Sequence, residues 1–312
     1  MHILITGGCG FTGTLLTNDL INLGHKVTVV DIQWFGNYLK PNKNLDILKL
    51  DIRDYNKIPL SGVDVVVHLA SIANDPSVEL NPKLSWEVNV LATQKLIENS
   101  IKNKVKQFIF ASSGSVYGIK EEKKVTEDLS LVPISTYNKT KMISERILKS
   151  YENEISFHCI RPATVCGFSP RMRLDVSVNM FAFQALKFKS MSVFGGEQVR
   201  PNIHIQDLIN VYKHFISNPK LPTGFYNAGF ENLKIIDIAK KVAKIIPADI
   251  VIKKNIDLRS YRQSSDKLLS TGFTKKFSVD RAIEELKIKY EAKQFTENSK
   301  CYTVKWMKEL NL

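Results

Sequence analysis

Short runs of apolar residues alternate with helical patterns along the first half of the chain. The apolar runs cover residues 2–5, 27–31, 46–50, 63–70, 108–111 and 155–160. They show little polar alternation, which is typical of parallel strands buried on both faces. Helical spacing appears at about 82–101 and 135–150. This order predicts a doubly wound α/β fold, in which right-handed crossovers place helices on both faces of a parallel sheet.

The pattern loosens after Arg161-Pro162, where short apolar pieces are separated by loops. Such pieces occur at 191–194 and 203–205, and helical patterns return at 235–246, 279–286 and about 296–310. We predict a first domain over residues 1–165 and a smaller C-terminal α/β domain, built around a site, over residues 166–312.

Composition narrows the class of protein. The chain has 312 residues, of which 44% are hydrophobic, so we expect a large buried core. No apolar run approaches the roughly 20 residues of a membrane-spanning helix, so we expect no membrane partner. The first residues form a strand pattern rather than a signal peptide, and the four cysteines lack disulfide, zinc or redox spacing. We therefore predict a cytoplasmic protein with reduced thiols and no metal site.

The formal net charge of +13 is compatible with nucleic-acid binding, with anionic small molecules or with a solvated lysine-rich surface. The lysines are scattered, and no arginine-rich stripe with interleaved aromatic residues occurs. We therefore expect no nucleic-acid partner. A substrate that carries a diphosphate fits the excess of positive charge as well as a solvated surface does.

A glycine-rich loop follows the first apolar run and opens a helical pattern. Gly7 permits a tight turn, Gly10 leaves the backbone accessible to a pyrophosphate, and Gly13 allows close packing of helix on strand. The helix N-terminus offers unpaired N–H groups and partial positive charge to phosphates. This arrangement predicts a Rossmann-type dinucleotide site. The predicted contacts in the loop are Gly7, Gly10, Phe11, Thr12 and Gly13.

Asp31 ends the second predicted strand, at about the 20-residue spacing at which an acid binds the adenosine ribose. Its carboxylate would repel a 2′-phosphate, so the sequence favours NAD over NADP as the cofactor. An acid at a strand end can also face solvent, but its position relative to the glycine loop favours the ribose contact.

Three side chains carry candidate redox chemistry. Tyr137 and Lys141 lie one turn apart on the same face of a predicted helix, and Ser113 follows the strand at 108–111. Removal of a hydride from a sugar carbinol requires a base, and a free phenol, with a pKa of about 10, is a poor base at neutral pH. We expect the Lys141 ammonium and bound NAD⁺ to lower the pKa of Tyr137. Ser113 would hold the same hydroxyl in line with the nicotinamide.

Together these features resemble the extended short-chain dehydrogenase/reductases, the group of NAD-dependent nucleotide-sugar epimerases and dehydratases. The resemblance runs from Met1 to about Phe273. The matching pieces are residues 6–13, Asp31, Asp51-Ile52, residues 68–70, Asn89, residues 111–118, Tyr137 with Lys141, Arg161-Pro162, Arg200, His204-Ile205 and Asp207.

The resemblance assigns roles around the cofactor. It implies that Tyr137 is the base, that Lys141 holds the nicotinamide ribose and that Ser113 completes the catalytic set. It also implies that Asp51 and Ile52 flank the adenine. Further residues on the cofactor side are Leu69, Ala70, Ser71 and Asn89, the last with a structural role near the active site.

The second half of the chain is implied to bind a nucleotide-diphosphate sugar. Arg200 matches the family arginine that binds a substrate phosphate, and the planar guanidinium suits this task because it donates two hydrogen bonds at once. Phe194 falls where relatives pack an apolar residue against the nucleobase. Arg259 and Arg262 are candidates for a second phosphate contact. For each arginine the alternative is a surface salt bridge.

The resemblance has two implications for assembly. Parts of about 200–230 are expected to pack back onto the first domain. Relatives commonly form homodimers by pairing two long helices, here at about 82–101 and 135–150, in a four-helix bundle. We therefore expect a homodimer or a higher homo-oligomer.

Departures from the family pattern concern the reaction. The 4,6-dehydratases carry Asp-Glu after the catalytic hydroxyl residue, where this chain has Gly114 and Ser115, which argues against dehydration. Thr164 stands where many epimerases have a sugar-binding asparagine. Arg171 and Arg173 are also unusual in their region. These differences leave open which nucleotide and which sugar are bound.

We expect oxidation at the C4 hydroxyl of a nucleotide-activated sugar, with hydride transfer to tightly bound NAD and formation of a 4-keto sugar nucleotide. In a net 4-dehydrogenase, for example one acting on a GDP-linked heptose or a similar surface-polysaccharide precursor, the ketose leaves. In a 4-epimerase of the UDP-hexose type it is reduced on its other face. The alternative from another class is a non-catalytic NAD(H)-binding regulator, which usually lacks the tyrosine or the lysine; both are present here.

Overall fold

The computed structural model describes residues 1–254 and 260–312. The strands of these residues are β1 (His2–Thr6), β2 (Lys26–Asp31), β3 (Leu45–Lys49), β4 (Val65–His68), β5 (Gln107–Ala111), β6 (Ser156–Pro162), β7 (Thr164–Cys166), β8 (Ser190–Phe194), β9 (Val199–His204), β10 (Gly224–Ala228), β11 (Glu231–Lys234) and β12 (Asp249–Lys253).

The helices of the described residues are α1 (Phe11–Asn22), α2 (Asp75–Val78), α3 (Pro82–Trp86), α4 (Ala92–Lys102), α5 (Thr136–Ser150), α6 (Ser177–Phe188), α7 (Ile205–Ser217), α8 (Ile235–Ile245), α9 (Asp266–Ser270), α10 (Val279–Glu291) and α11 (Thr303–Glu309). Short 3₁₀ turns occur at Tyr55–Lys57, Gly114–Tyr117 and Ser299–Cys301. Within the described part of the chain, no helix combines the length and the apolar character needed to cross a bilayer.

The main sheet has the strand order β10-β6-β5-β4-β1-β2-β3 among the described residues, and all its neighbours are parallel. Its strands are buried on both faces because helices cover both. One face packs against apolar residues of α1 and α7, such as Leu16 and Phe215. The other face packs against α4 and α5, through Leu96 and Leu148. The predicted Rossmann-type fold with a doubly wound parallel sheet is therefore confirmed.

The predicted helix at 82–101 is continuous but not uniform. It begins at α3, passes through a π-helical stretch at Glu87–Leu91 and continues as α4. Asn89 lies in the π-helical stretch, and its side chain bonds to the backbone of Ile72. The helix predicted at 135–150 is α5, which starts at Thr136 because the Ser135 side chain caps it by accepting a hydrogen bond from Asn138 N.

The second half contains elements that the apolar pattern did not predict. Helices α6 and α7 were missed, and residue 205 begins α7 instead of extending a strand. Strand β10 is an edge strand of the main sheet. The rest forms a smaller lobe in which α6, α8 and α10 pack around β8. The C-terminal helical pattern at 296–310 is a 3₁₀ turn followed by the short helix α11.

Candidate active site

A cavity of about 1260 Å³ lies at the carboxyl ends of the central strands, between the sheet and the smaller lobe. Its walls come from the segments that follow β1, β2, β4 and β5, from the start of α5, and from the loop between β7 and α6. Ligands of open α/β sheets bind at this edge, and the cavity is large enough for a dinucleotide beside a second ligand.

Most residues predicted from the sequence line this one cavity. The lining members of the predicted set are Gly7, Gly10, Phe11, Thr12, Gly13, Asp31, Asp51, Ile52, Leu69, Ala70, Ser71, Ser113, Tyr137, Lys141, Thr164 and Arg200. Residues predicted to bind the cofactor and residues predicted to bind the substrate therefore line the same cavity.

Three predicted residues do not line the cavity. Asn89 is buried behind the cavity. Phe194 ends β8 with 48% of its surface exposed, and the Lys253 ammonium lies 5.6 Å from its ring centre. Arg262 is exposed outside the cavity. Arg259 lies outside the described residues.

The glycine turn is shaped by backbone contacts that a side chain would disturb. Gly7 adopts a φ of +74°, and a Cβ on it would lie 2.7 Å from Ala70 N. A Cβ on Gly13 would lie 2.2 Å from Gly7 O, so α1 packs onto the turn only because residue 13 is glycine. Gly10 caps α1 without a side-chain hydrogen bond, which leaves the first amides of the helix directed at the cavity for an anion.

Asp31 is fixed at the end of β2 by two backbone donors. Its carboxylate accepts hydrogen bonds from Cys9 N at 2.9 Å and from Gln33 N at 2.6 Å. Burial raises the pKa of Asp31, while these two bonds and the charge of Arg171 act in the opposite direction. Each carboxylate oxygen keeps a further acceptor position, so the group can also bind ribose hydroxyls.

Tyr137 and Ser113 meet at the cavity wall. Burial raises the pKa of the Tyr137 phenol to about 12, while a hydrogen bond with Ser113 and the charge of Arg173 act to lower it. The Lys141 ammonium lies 6.0 Å from the Tyr137 ring centre and donates a hydrogen bond of 2.8 Å to Ala111 O. Burial lowers the pKa of Lys141 to about 8. In the protein without cofactor, burial therefore outweighs the groups that lower the pKa of Tyr137. The expectation that Lys141 and bound NAD⁺ together lower it remains a prediction.

Asn89 holds the wall behind these residues. Its side chain accepts a hydrogen bond from Ile72 N at 2.8 Å and donates to Ile72 O and Thr140 Oγ1, each at 3.1 Å. The Asn89 carbonyl accepts a further bond from the Ser144 hydroxyl at 2.7 Å. These bonds connect the helix at 82–102 to α5, which carries Tyr137 and Lys141.

A buried ion pair between Arg161 and Glu145 connects α5 to β6. Arg161 donates to both oxygens of Glu145, at 2.9 and 2.7 Å, and the two side chains are 3% and 1% exposed. Ser112 also donates to Glu145, and Tyr117 accepts from Arg161 at 2.7 Å. Glu145 lies one turn after Lys141, so this network fixes the helix that presents the lysine.

The sequence interpretation missed several residues of the cavity wall. The lining also includes Asp75, Arg171, Arg173 and, from the C-terminal segment, Tyr302, Thr303, Lys305 and Lys308. Arg171 and Arg173 had been noticed as unusual, but nothing local assigned them to the cavity. The C-terminal segment had no signal, because its position depends on contacts such as Trp306 Nε1 to Trp34 O, at 2.6 Å.

The residues of the cavity fit NAD. The turn at Gly10 is open where a phosphate would approach the backbone, and Asp31 offers acceptors next to it. Among the described residues, no cluster of three or more histidine, cysteine or acidic side chains is arranged to hold a metal ion.

Comparisons with known proteins agree with this geometry. The sequence model of the NAD dependent epimerase/dehydratase family matches residues 3–229. An uncharacterized UDP-glucose epimerase of Bacillus subtilis (strain 168) is 29% identical over 261 residues, 78% of this chain and 82% of that protein. The UDP-glucose 4-epimerase of Lactobacillus helveticus is 27% identical over 276 residues, with the same shares of the two chains.

Solved structures give the same result. The structure of UDP-glucose 4-epimerase with UDP-glucose from the hyperthermophilic eubacterium Thermotoga maritima superposes with a TM-score of 0.84 at 26% identity, over 95% of this chain and 100% of that chain. This likeness extends the match beyond the residues of the family model and into the smaller lobe. The chain belongs to the NAD-dependent epimerase/dehydratase family, a family of enzymes.

Proposed function

We propose that the protein oxidises the C4 hydroxyl of a nucleotide-activated sugar and forms a 4-keto sugar nucleotide. The observation that carries this proposal is the position of Ser113, Tyr137 and Lys141 on one cavity with the glycine turn and Asp31. Bases and phosphate-binding groups on a common wall fit a reaction between a bound dinucleotide and a second ligand.

In the proposed reaction, the sugar carbinol loses a proton to Tyr137 and loses a hydride, and its C–O bond becomes a carbonyl. NAD, when bound, supplies the hydride acceptor. Tyr137 is the base, and Ser113 holds the reacting hydroxyl. With NAD bound, Lys141 would hold the nicotinamide ribose, and its charge together with that of the oxidised nicotinamide would favour the phenolate. These positive charges counter the burial that keeps the pKa of Tyr137 at about 12 in the protein alone.

The residues after Ser113 support oxidation rather than dehydration. Gly114 has no side chain, and the Ser115 hydroxyl is engaged with Ser113 Oγ at 2.8 Å and with Asn138 Oδ1. An elimination needs an acid and a base at these positions. Asp75 is a carboxylate on the same cavity, but its Oδ1 accepts a hydrogen bond from Ser135 at the start of α5.

The fate of the keto sugar separates two candidate functions. The first is a net 4-dehydrogenase that releases the ketose, with a GDP-linked heptose or a similar surface-polysaccharide precursor as substrate. The second is a 4-epimerase of the UDP-hexose type, which reduces the ketose on its other face. The names of the Bacillus subtilis and Lactobacillus helveticus relatives favour the second candidate. Both candidates use the same oxidation step.

The smaller lobe is proposed to bind the nucleotide diphosphate. Arg200, within residues 166–312, lines the cavity and is suited to a phosphate. Thr164, at the end of residues 1–165, lines the same cavity. The division into residues 1–165 for the cofactor and 166–312 for the substrate remains a prediction, as do the homodimer and the cytoplasmic location. Trp86 and Leu91, on the helix expected to pair between subunits, are 37% and 56% exposed.

The experiment is incubation of the purified protein with UDP-, GDP- and dTDP-sugars, read by mass spectrometry and chromatography. A net dehydrogenase gives a product lighter by two hydrogens, and an epimerase gives an isomer of unchanged mass. Tyr137→Phe is the matched control and should form neither product. No conversion of any sugar by the wild-type protein contradicts the proposal.

A further inference from the structure

Arg171 extends from the smaller lobe into the wall of the cavity on its cofactor side. It lies in the loop between β7 and α6, and only 4% of its surface is exposed. The centre of its guanidinium lies 4.0 Å from the ring centre of Phe35. Phe35 belongs to the segment that follows Asp31, so Arg171 lies at the end of the cavity where the adenosine half of a dinucleotide would bind.

The guanidinium has no anionic partner within the described residues. Its Nε and Nη1 groups are buried, and neither has a hydrogen-bond acceptor there. The nearby acids are used by other donors: Asp175 by Arg173 at 2.8 Å and Thr303 N at 2.8 Å, and Asp31 by two backbone amides. Burial and the charge of Arg173 lower the pKa of Arg171 to about 10. A buried cation without hydrogen-bond partners is unfavourable unless an anion joins it.

The opposite wall supplies no cation for a diphosphate. Residues 1–25, which contain the glycine turn, include no lysine or arginine, and neither do residues 32–39. On that side, a phosphate would meet only the amides and the dipole at the start of α1, worth about half a unit charge. A dinucleotide diphosphate carries two negative charges, so a cation from another part of the cavity would add to the stabilisation given by these amides.

The C-terminal segment holds Arg171 in this position. Leu174 N donates to Cys301 O at 2.9 Å, and Thr303 N donates to Asp175 at 2.8 Å. On the other side, the Trp306 indole donates to Trp34 O at 2.6 Å, next to Phe35. The segment therefore ties the Arg171 loop to the segment after Asp31 and keeps the guanidinium between them.

We propose that Arg171 binds the diphosphate of NAD, so that the smaller lobe supplies the cationic contact that the glycine turn lacks. The proposal rests on the proposed function, because it takes NAD as the cofactor. Arg200 is left for the diphosphate of the sugar nucleotide. Because Nε and Nη1 are buried, this contact requires the guanidinium to turn from Phe35 toward the cavity.

The test is the affinity of the nucleotide-free protein for NAD, ADP and adenosine, measured by calorimetry after removal of any co-purified nucleotide. ADP carries the diphosphate and adenosine does not. Arg171→Gln should weaken NAD and ADP by about 10- to 100-fold, as expected for loss of a charged hydrogen-bond pair, and leave adenosine almost unchanged. The affinity of Arg171→Lys for NAD and ADP should lie between those of the wild type and Arg171→Gln. An ammonium keeps the positive charge but cannot donate the two parallel hydrogen bonds of a guanidinium. Arg281→Gln, the same change at an exposed position on α10, should bind like the wild type.

The melting temperature provides a second readout. Removal of a buried, unpaired cation should leave the melting temperature of the nucleotide-free Arg171→Gln protein unchanged or raised, while the increase caused by ADP becomes smaller. Equal ADP affinity in the wild type and Arg171→Gln would overturn the proposal. An equal loss of affinity for adenosine and ADP would also overturn it. So would a variant that binds UDP more weakly but NAD and ADP normally, or a variant that fails to fold. Each of these outcomes assigns Arg171 another role. If the wild-type protein binds neither NAD nor ADP, the cofactor assignment itself fails.

Discussion

The Lys141 ammonium bonds to Ala111 O and lies 6.0 Å from the centre of the Tyr137 ring, so the lysine supports the tyrosine without a hydrogen bond to it. Lys141 is buried and Tyr137 is half-buried, and burial acts on the two groups in opposite directions: the pKa of Tyr137 rises to about 12 and that of Lys141 falls to about 8. Each group is thereby pushed toward its neutral form. The charged pair that the chemistry requires is therefore unfavourable in the protein alone.

Lys141→Met should stabilise the fold at neutral pH. The pKa of Lys141 is about 8 in the folded protein against an ordinary value of 10.5, because burial favours the neutral amine. Below the folded value the buried charge destabilises the protein, and this penalty disappears as the pH rises from about 8 to 10.5. The wild type should therefore gain stability relative to Lys141→Met over this window, by a few kcal/mol at most. Urea unfolding of both proteins across the window measures it.

A constant difference between the two proteins across that pH range would contradict the assignment of a buried, partly neutral lysine. Lys139→Met on the same helix is a suitable control, because Lys139 is exposed. Its stability difference from the wild type should not follow the same pH dependence.

Gly13→Ala should reduce the stability of the fold, whereas Gly10→Ala should reduce the affinity for NAD. A Cβ on Gly13 would lie 2.2 Å from Gly7 O and 2.7 Å from Gly8 Cα, both backbone atoms that cannot move independently. We expect Gly13→Ala to lose about 1–3 kcal/mol of stability or more. A Cβ on Gly10 meets only Gly7 O, at 3.1 Å, so Gly10→Ala should fold and lose NAD affinity instead. Melting temperatures and NAD titrations distinguish these outcomes, and equal effects of both variants on stability would contradict the assignment.

Asp31→Asn should weaken the preference for NAD over NADP. The carboxylate charge that repels a 2′-phosphate is lost, although the amide oxygen can still accept one of the two backbone donors. We expect the ratio of the NAD and NADP dissociation constants to shift about tenfold or more toward NADP. Asp46→Asn, on the exposed part of β3, is the matched control and should leave the ratio as it is. An unchanged ratio in Asp31→Asn would remove Asp31 from its assigned role.

Arg161→Met should be strongly destabilising because it leaves Glu145 buried and unpaired. The two side chains are 3% and 1% exposed, and breaking such a pair costs about 3–5 kcal/mol. The double variant Arg161→Met/Glu145→Leu should recover part of the loss, since no unpaired charge remains. Arg281→Met, at an exposed ion pair on α10, should change stability little. Additive effects of the two buried substitutions would show that the pair is not coupled.

The sequence predicted what depends on local chemistry. The glycine turn, the one-turn spacing of Tyr137 and Lys141, and the apolar runs of the parallel strands are each encoded within a few residues. Helix α7 was missed because it follows β9 directly and is capped by His204, which accepts a hydrogen bond from Gln206 N, rather than by a typical capping residue. The start of this helix carried no recognisable signal.

The missed parts of the site depend on contacts between distant residues. Arg171 reaches the cavity because it packs on Phe35, and the C-terminal segment reaches it through Trp306 and Trp34. No local pattern specifies such pairs. Phe194 was chosen by its place in the family motif, but it ends β8 on the outside of the smaller lobe. The place of a residue in the family motif therefore does not determine the direction in which its side chain points.

The most direct test of the central claim is transfer of deuterium from a C4-deuterated nucleotide sugar to the bound cofactor in a single turnover. With wild-type protein and the UDP-, GDP- and dTDP-sugars, we predict that one of the substrates delivers its deuterium to the nicotinamide, as measured by mass spectrometry of the extracted cofactor. Tyr137→Phe should retain NAD and reduce the rate of transfer by about 10²–10⁴-fold, the usual contribution of a positioned base. Conversion of the sugar by the wild-type protein without deuterium on the cofactor at any point of the turnover, including samples quenched before the ketose is reduced again, would contradict the account. So would unimpaired transfer by Tyr137→Phe.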